Sequence, residues 1–172
     1  MTAALKILPP EPPAARYAPA DFRDAMGRFA SGIVVVTATV DDDPVGFTCQ
    51  SFSSLSLMPR LVLFCASRSS QSWQRIRRSP AFTINVLAES QRAVSQQFAR
   101  RSDDKFAGLE WTSGTTGAPR LAGASVHVDC HLHEVIEQGD HDIVIGRVEE
   151  TAVLTGSRPL LYFRGAYDAL GW

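Results

Sequence analysis

The densest chemistry in the chain lies in Val45-Gly46-Phe47-Thr48-Cys49-Gln50-Ser51-Phe52-Ser53-Ser54-Leu55-Ser56-Leu57-Met58-Pro59. An extended apolar run turns into a row of short hydroxyl and amide side chains. It stops at a proline, before a second apolar run from Leu61 to Ala66. A core strand has no use for so many donors and acceptors, whereas a strand laid along a flat polar ligand does. A second polar cluster, Ser67-Arg68-Ser69-Ser70-Gln71-Ser72, stands where a helix is expected to start, with Trp73 and Ile76 as its inward face. Hydroxyls beside the free N–H groups of a first helical turn form an anion site, whereas ordinary N-capping would employ only one of these serines. Both readings stand at this point.

Other clusters carry less. From Ser125 to Ile136 the side chains alternate, with Val126, Val128, Cys130 and Leu132 on one face and His127, Asp129, His131 and His133 on the other. Three histidines and an aspartate invite a metal, yet same-face neighbours on one strand stand ~6.6 Å apart and no further ligand cluster joins them. A solvated outer face is expected there. Asp41-Asp42-Asp43 lacks the alternating ligands and glycine of a Ca²⁺ loop and reads as a solvated turn. No metal site is expected. The loop Ser113 to Pro119 has glycines, but neither phosphate-loop nor dinucleotide-fold spacing, so a nucleotide would not be held by a Rossmann unit. His141, at the mouth of a hairpin, is on its own an ordinary turn histidine.

The elements that must position these residues read as mainly β. Residues 1–19 carry five prolines and form a proline-rich arm, with residues 20–172 as one domain. A helix opens at Asp21 and places Phe22, Met26 and Phe29 on one stripe, read as core packing, with Gly32 as its stop. Strands are expected over Ile33–Thr39, Val45–Phe52, Leu61–Ala66, Ala81–Leu87, Ser125–Ile136, His141–Val148 and Leu160–Tyr167, the last broken by a glycine. Helices fall after Ser70 and over Ser90–Arg100, with Val94 and Phe98 inward, and a short helical turn over Ser102–Gly108. Strands joined mainly by hairpins point to an antiparallel barrel.

Composition bounds the partners. The 172 residues suit one domain; 45% apolar and 20% charged is ordinary for a globular chain, and a net charge of −1 gives no pull toward nucleic acid or anionic membrane. Cys49, Cys65 and Cys130 form no CxxC pair, which fits a reducing cytoplasm rather than a disulfide framework. With no apolar leader near the first residues and no run of ~20 apolar residues, a soluble cytoplasmic protein is expected.

The order of blocks, FxxAMGxFASG, GFTCQSFSSLSLMP, LVLFCAS with SxSW, FTINVL, QQFA, DKFAG, GDHDIVIG and RPLLYFRGAY, resembles the short-chain flavin reductases from Asp21 to Leu170. These are the reductase components of two-component flavin-dependent monooxygenases. The resemblance implies a flavin-binding split β-barrel and a homodimer that reduces FMN or FAD with NADH or NADPH and passes reduced flavin to a monooxygenase. It places Pro44, Val45, Gly46, Phe47, Thr48, Gln50 and Ser51 along the flavin ring and its linker. Gly46 would allow close approach, and Thr48, Gln50 and Ser51 would supply hydrogen bonds. Cys65, Ala66, Ser67, Gln71 and Ser72 would hold the ribityl phosphate, and Phe98, Lys105 and Phe106 would close the site. His141 would face the nicotinamide, with Arg164 and Tyr167 on the same side. Two alternatives remain: a pyridoxamine-phosphate-oxidase-like flavin oxidase, disfavoured by the GDH block, and a non-catalytic flavin- or haem-binding protein of similar fold.

Overall fold

A β-branched run builds the centre of the sheet. Val34–Val40 (β2) is buried on both faces except at Thr39, so it reads as continuously apolar rather than alternating. It pairs antiparallel with Asp43–Cys49 (β3) through a turn in which Asp41 and Asp42 take left-handed backbone angles, φ 54° and 66°, that aspartate tolerates better than most residues. The computed structural model describes residues 18–168 apart from 103, 155 and 157, so the expected proline-rich arm falls, up to residue 17, outside the described residues. The other strands are Ser31–Gly32 (β1), Ser53–Leu57 (β4), Arg60–Ser67 (β5), Ala81–Val86 (β6), Trp111–Ser113 (β7), Pro119–Leu121 (β8), Val126–Gln138 (β9), His141–Val153 (β10), Leu161–Phe163 (β11) and Ala166–Asp168 (β12). Helices span Pro19–Gly27 (α1), Gln71–Ile76 (α2) and Arg92–Ala99 (α3), the last entered through a 3-10 turn over Glu89–Gln91.

Seven strands form one antiparallel sheet in the order β3-β2-β6-β9-β10-β5-β4. The sheet curls until the end of β3 meets β5, and there a side chain replaces the ladder. Ser51 Oγ accepts from Cys65 N at 2.8 Å and donates to Cys65 O at 3.0 Å. Inward side chains from six strands share one interior. At its centre Phe64 packs against Phe47, Trp73 and Phe82 at ring distances of 6.0, 6.0 and 5.4 Å. Truncating so buried an aromatic costs about 3–5 kcal/mol. The expected antiparallel barrel, mainly β with short helices and split on one side, is the fold observed.

Four expectations need correction. The helix begins at Pro19, not Asp21, because proline is favoured at a first helical position, and Asp21 Oδ2 instead accepts from Ala18 N at 3.2 Å; it ends at a cap on Arg28, not Gly32. Its apolar stripe is not core: Phe22, Met26 and Phe29 are 64%, 56% and 82% exposed in the single chain. Leu160–Tyr167 is no single strand, since Arg164 and Gly165, both at positive φ, turn β11 back on β12 as a hairpin that pairs with β1. The segment 104–108 holds turns and bends without helix.

The polar face of β9 is also not simply solvated. The β7–β8 hairpin covers it, so His127 and Asp129 are buried while His131 and His133 stay open to solvent. His127 Nε2 lies 2.9 Å from Leu121 O. Asp129 accepts from Arg120 Nη2 at 2.7 Å, Thr83 Oγ1 at 2.8 Å and Thr115 N at 2.6 Å. Burial pushes its carboxyl up, but these partners together outweigh burial and hold it below the usual range.

Candidate functional site

The outer edge of β3 is the foundation of the site. Among the described residues β3 ends the sheet and pairs only with β2, so half its backbone N–H and C=O groups point away from the ladder. A groove of about 500 Å³ opens along that edge, bounded by the turn into α2, the end of α3 and the first residue of β10. Of the residues expected from the sequence, Pro44, Val45, Gly46, Phe47, Thr48, Gln50, Ser51, Cys65, Ser67, Gln71, Ser72, Phe98, Lys105 and His141 all line it.

Four others do not. Ala66 points into the barrel and is 1% exposed. Phe106 is buried one layer back, edge-on to Phe98 at 5.0 Å, so it supports the lining. Arg164 sits in the β11–β12 turn, where its N–H donates to Gly27 O at 2.8 Å. Tyr167 lies under Arg92, with its hydroxyl 3.0 Å from Ser95 Oγ.

Local chemistry reassigns several side chains. A Cβ on Gly46 would stand 2.5 Å from Phe98 Cε1, so the close approach this glycine permits is that of a buried phenyl ring. Thr48 Oγ1 donates to Ser95 O at 2.6 Å and ties β3 to α3. Ser51 closes the barrel, as described above. What β3 turns toward the groove is therefore chiefly backbone, with the exposed Gln50 amide beside it. One serine before α2 is its cap. Ser70 is the N-cap, accepting from Trp73 N at 3.2 Å, and Ser67, Ser69 and Ser72 remain on the groove wall. Arg68 turns away, toward Glu137 at 3.3 Å.

The α2–α3 end is cationic. Lys105 Nζ donates to Ser72 Oγ at 3.0 Å and to Phe98 O at 2.9 Å, both neutral acceptors, and burial holds its ammonium below the ordinary lysine range. Arg75, Arg100 and Arg101 also line the groove, and among the described residues its lining contains no carboxylate. Of these arginines, Arg75 is drawn to an acid, Asp43 at 3.3 Å. These arginines were not anticipated from the sequence; the Arg100-Arg101 doublet directly after an amphipathic helix was the available signal. Four cations, hydroxyls and free backbone groups fit a flat, hydrogen-bonding ligand with a phosphate tail, and the volume lies within the range of small-molecule sites.

His141 stands at the opposite side, its ring about half exposed and its Nδ1 2.7 Å from Asp140 Oδ1. Hydrogen bonding to His141 holds the Asp140 carboxyl below its usual range. An imidazole whose Nδ1–H is held by a carboxylate presents Nε2 outward as a hydrogen-bonding group of fixed orientation. Cys49 and Cys130 supply no nucleophile of note: burial pushes the Cys49 thiol up and the Cys130 thiol to about 12. No group of three metal-ligating side chains comes together among the described residues. No helix among them is long and apolar enough to cross a membrane.

Comparison with known proteins agrees with this geometry. Residues 26–171 match the flavin reductase like domain. The reductase subunit HsaB of a flavin-dependent monooxygenase from Rhodococcus jostii is 45% identical over 152 residues, covering 88% of this chain and 78% of that one. Its counterpart from Mycobacterium tuberculosis is 44% identical over 158 residues, covering 91% and 84%. Among solved structures, nitrilotriacetate monooxygenase component B from Mycobacterium thermoresistibile has a TM-score of 0.86 at 42% identity, covering 88% and 86%. The NADH:FAD oxidoreductase SgcE6 of Streptomyces globisporus, in complex with NAD and FAD fragments, has a TM-score of 0.84 at 34% identity, covering 88% and 92%. The barrel, the groove along its edge and these likenesses converge: the chain belongs to the flavin reductase-like family.

Proposed function

We propose that this chain is an NAD(P)H-dependent flavin reductase that uses FMN or FAD and delivers reduced flavin to a partner monooxygenase. The observation that carries the reading is the groove itself, as the described residues form it: an outer strand edge, a cationic hydroxyl-lined end, and an oriented imidazole opposite. When bound together, the two rings supply the chemistry themselves, a hydride passing from nicotinamide C4 to flavin N5 without a protein nucleophile or metal. The β3 edge positions the flavin ring, and its N–H groups stabilise negative charge on the ring's N1–C2 carbonyl edge. Ser67, Ser69 and Ser72 with Lys105, Arg75 and the Arg100-Arg101 pair hold the phosphate tail. His141, oriented by Asp140, hydrogen-bonds the nicotinamide carboxamide, and Phe98 keeps water from the inner wall. Arg164 and Tyr167 have no part in this arrangement within one chain.

The chain works as a homodimer in the cytoplasm, where its three free cysteines stay reduced. The exposed side chains of Phe22, Met26, Phe29, Leu57 and Met58 support a second copy covering them. The deciding experiment is steady-state NADH and NADPH oxidation with and without added FMN or FAD. Oxidation stimulated by flavin supports the reading; no flavin stimulation with any of the four pairs overturns it.

A further inference from the structure

One buried carboxylate lies beneath both halves of this site. Asp142 follows His141 in β10, and its side chain points to the other face of the strand, 0% exposed. Its Oδ2 accepts from Trp73 Nε1 at 2.7 Å and lies 3.6 Å from Arg77 Nη1, while Arg68 Nε approaches its Oδ1 at 3.8 Å. Trp73, fully buried, belongs to α2, and its backbone N–H is the one capped by Ser70. The turn before α2 is joined to the same hairpin through Arg68 N, which donates to Asp140 O at 3.0 Å, and Ser67 pairs directly with His141 across the β5–β10 ladder. The hydroxyl wall and the imidazole are thus fastened to one charge.

That charge has no direct access to the groove, and stability alone does not call for it. A buried ion pair is often no more stabilising than a well-packed apolar substitute, but it is directional, fixing where its partners sit. We propose that Asp142 is a positioning residue that sets the spacing between the α2 wall, which holds the flavin phosphate, and His141, which holds the nicotinamide. The carboxylate does this through the Trp73 indole N–H and the Arg68 and Arg77 guanidinium groups. The inference rests on the site assignment above.

The test is Asp142→Asn, which leaves an oxygen for the Trp73 N–H but removes the charge that faces Arg77 and Arg68, the latter keeping Glu137. Steady-state NADH oxidation with FMN and FAD is measured beside thermal unfolding, with Trp73→Phe and Arg77→Gln as further variants. Arg120→Ala, destabilising but remote from the groove, serves as the control for stability loss alone. The expected result is that KM for flavin and KM for NADH both rise by at least about fivefold in Asp142→Asn, while kcat at saturation falls less than about threefold. Trp73→Phe and Arg77→Gln shift both constants the same way, and Arg120→Ala shifts neither. If Asp142→Asn fails to fold, the other two variants decide the matter by the same criterion. Unchanged KM values, a rise in only one of them, or an equal rise in Arg120→Ala overturns the proposal. Absence of flavin-stimulated oxidation in the parent chain points instead to failure of the site assignment.

Discussion

His141 and Lys105 both line the groove, and the proposed function gives them separable tasks. His141 presents a fixed hydrogen-bonding nitrogen without a charged partner other than Asp140. Lys105 is a partly buried cation bonded, among the described residues, to neutral oxygens, an arrangement that favours an arriving anion. His141→Ala is expected to raise KM for NAD(P)H about tenfold while flavin affinity stays within about twofold, whereas Lys105→Ala does the reverse, as expected for one charge-assisted hydrogen bond each. Initial-rate kinetics with flavin fluorescence titration check both. Much of this was legible in the residues: the hydroxyl cluster before Trp73 and the polar row after Val45 both border the groove. Thr48, Ser51 and Gly46 were legible as special, but their partners were not. A hydroxyl's reach to Ser95 O or Cys65 N depends on contacts 47 and 14 residues away in sequence, which spacing does not reveal.

At the scale of elements, β3 depends on α3 lying flat against it. Gly46 makes that contact possible, because a Cβ would stand 2.5 Å from the Phe98 ring and 3.1 Å from Val36 O. Gly46→Ala should cost about 1–3 kcal/mol by overpacking and weaken flavin binding with it, read by urea unfolding and flavin titration. The β7–β8 hairpin is pinned differently, by Arg120 on the buried Asp129, with Glu150 as its second acid at 2.6 Å. Arg120→Ala strands that carboxylate and should destabilise by about 3 kcal/mol at neutral pH, with little change in flavin affinity. The folded carboxyl of Asp129 lies below its unfolded value. Its contribution is therefore fully present above about pH 4 and is lost as pH falls through the depressed folded value. The parent should lose stability in that acid window, and Arg120→Ala should lose less there. From sequence, β9 read as having one solvated face, because nothing in its alternation shows that the short strand pair β7–β8 just upstream folds over half of it. The α1 stripe misled for the opposite reason: an apolar stripe says that a face is to be covered, not by which molecule.

For the whole molecule, the barrel serves as a rigid frame whose one unladdered seam carries the site. Hydrogen bonds from Ser51 hold that seam, and the groove lies beside it, open to solvent and walled by short side chains. Such a site suits a ligand that enters and leaves. The exposed apolar residues of α1 and β4 support the proposed second copy; light scattering should then report twice the 18.7 kDa chain mass, and a monomer at micromolar concentration would contradict the dimer. The central claim is that flavin passes through this groove as a diffusing substrate on its way to an oxygenase. Its most direct test is an anaerobic titration, with excess NADH added to a large molar excess of flavin over protein and flavin absorbance followed to completion. The whole flavin pool is expected to be bleached over many turnovers of each chain. Bleaching that stops at one flavin per chain, or none at all, would contradict it.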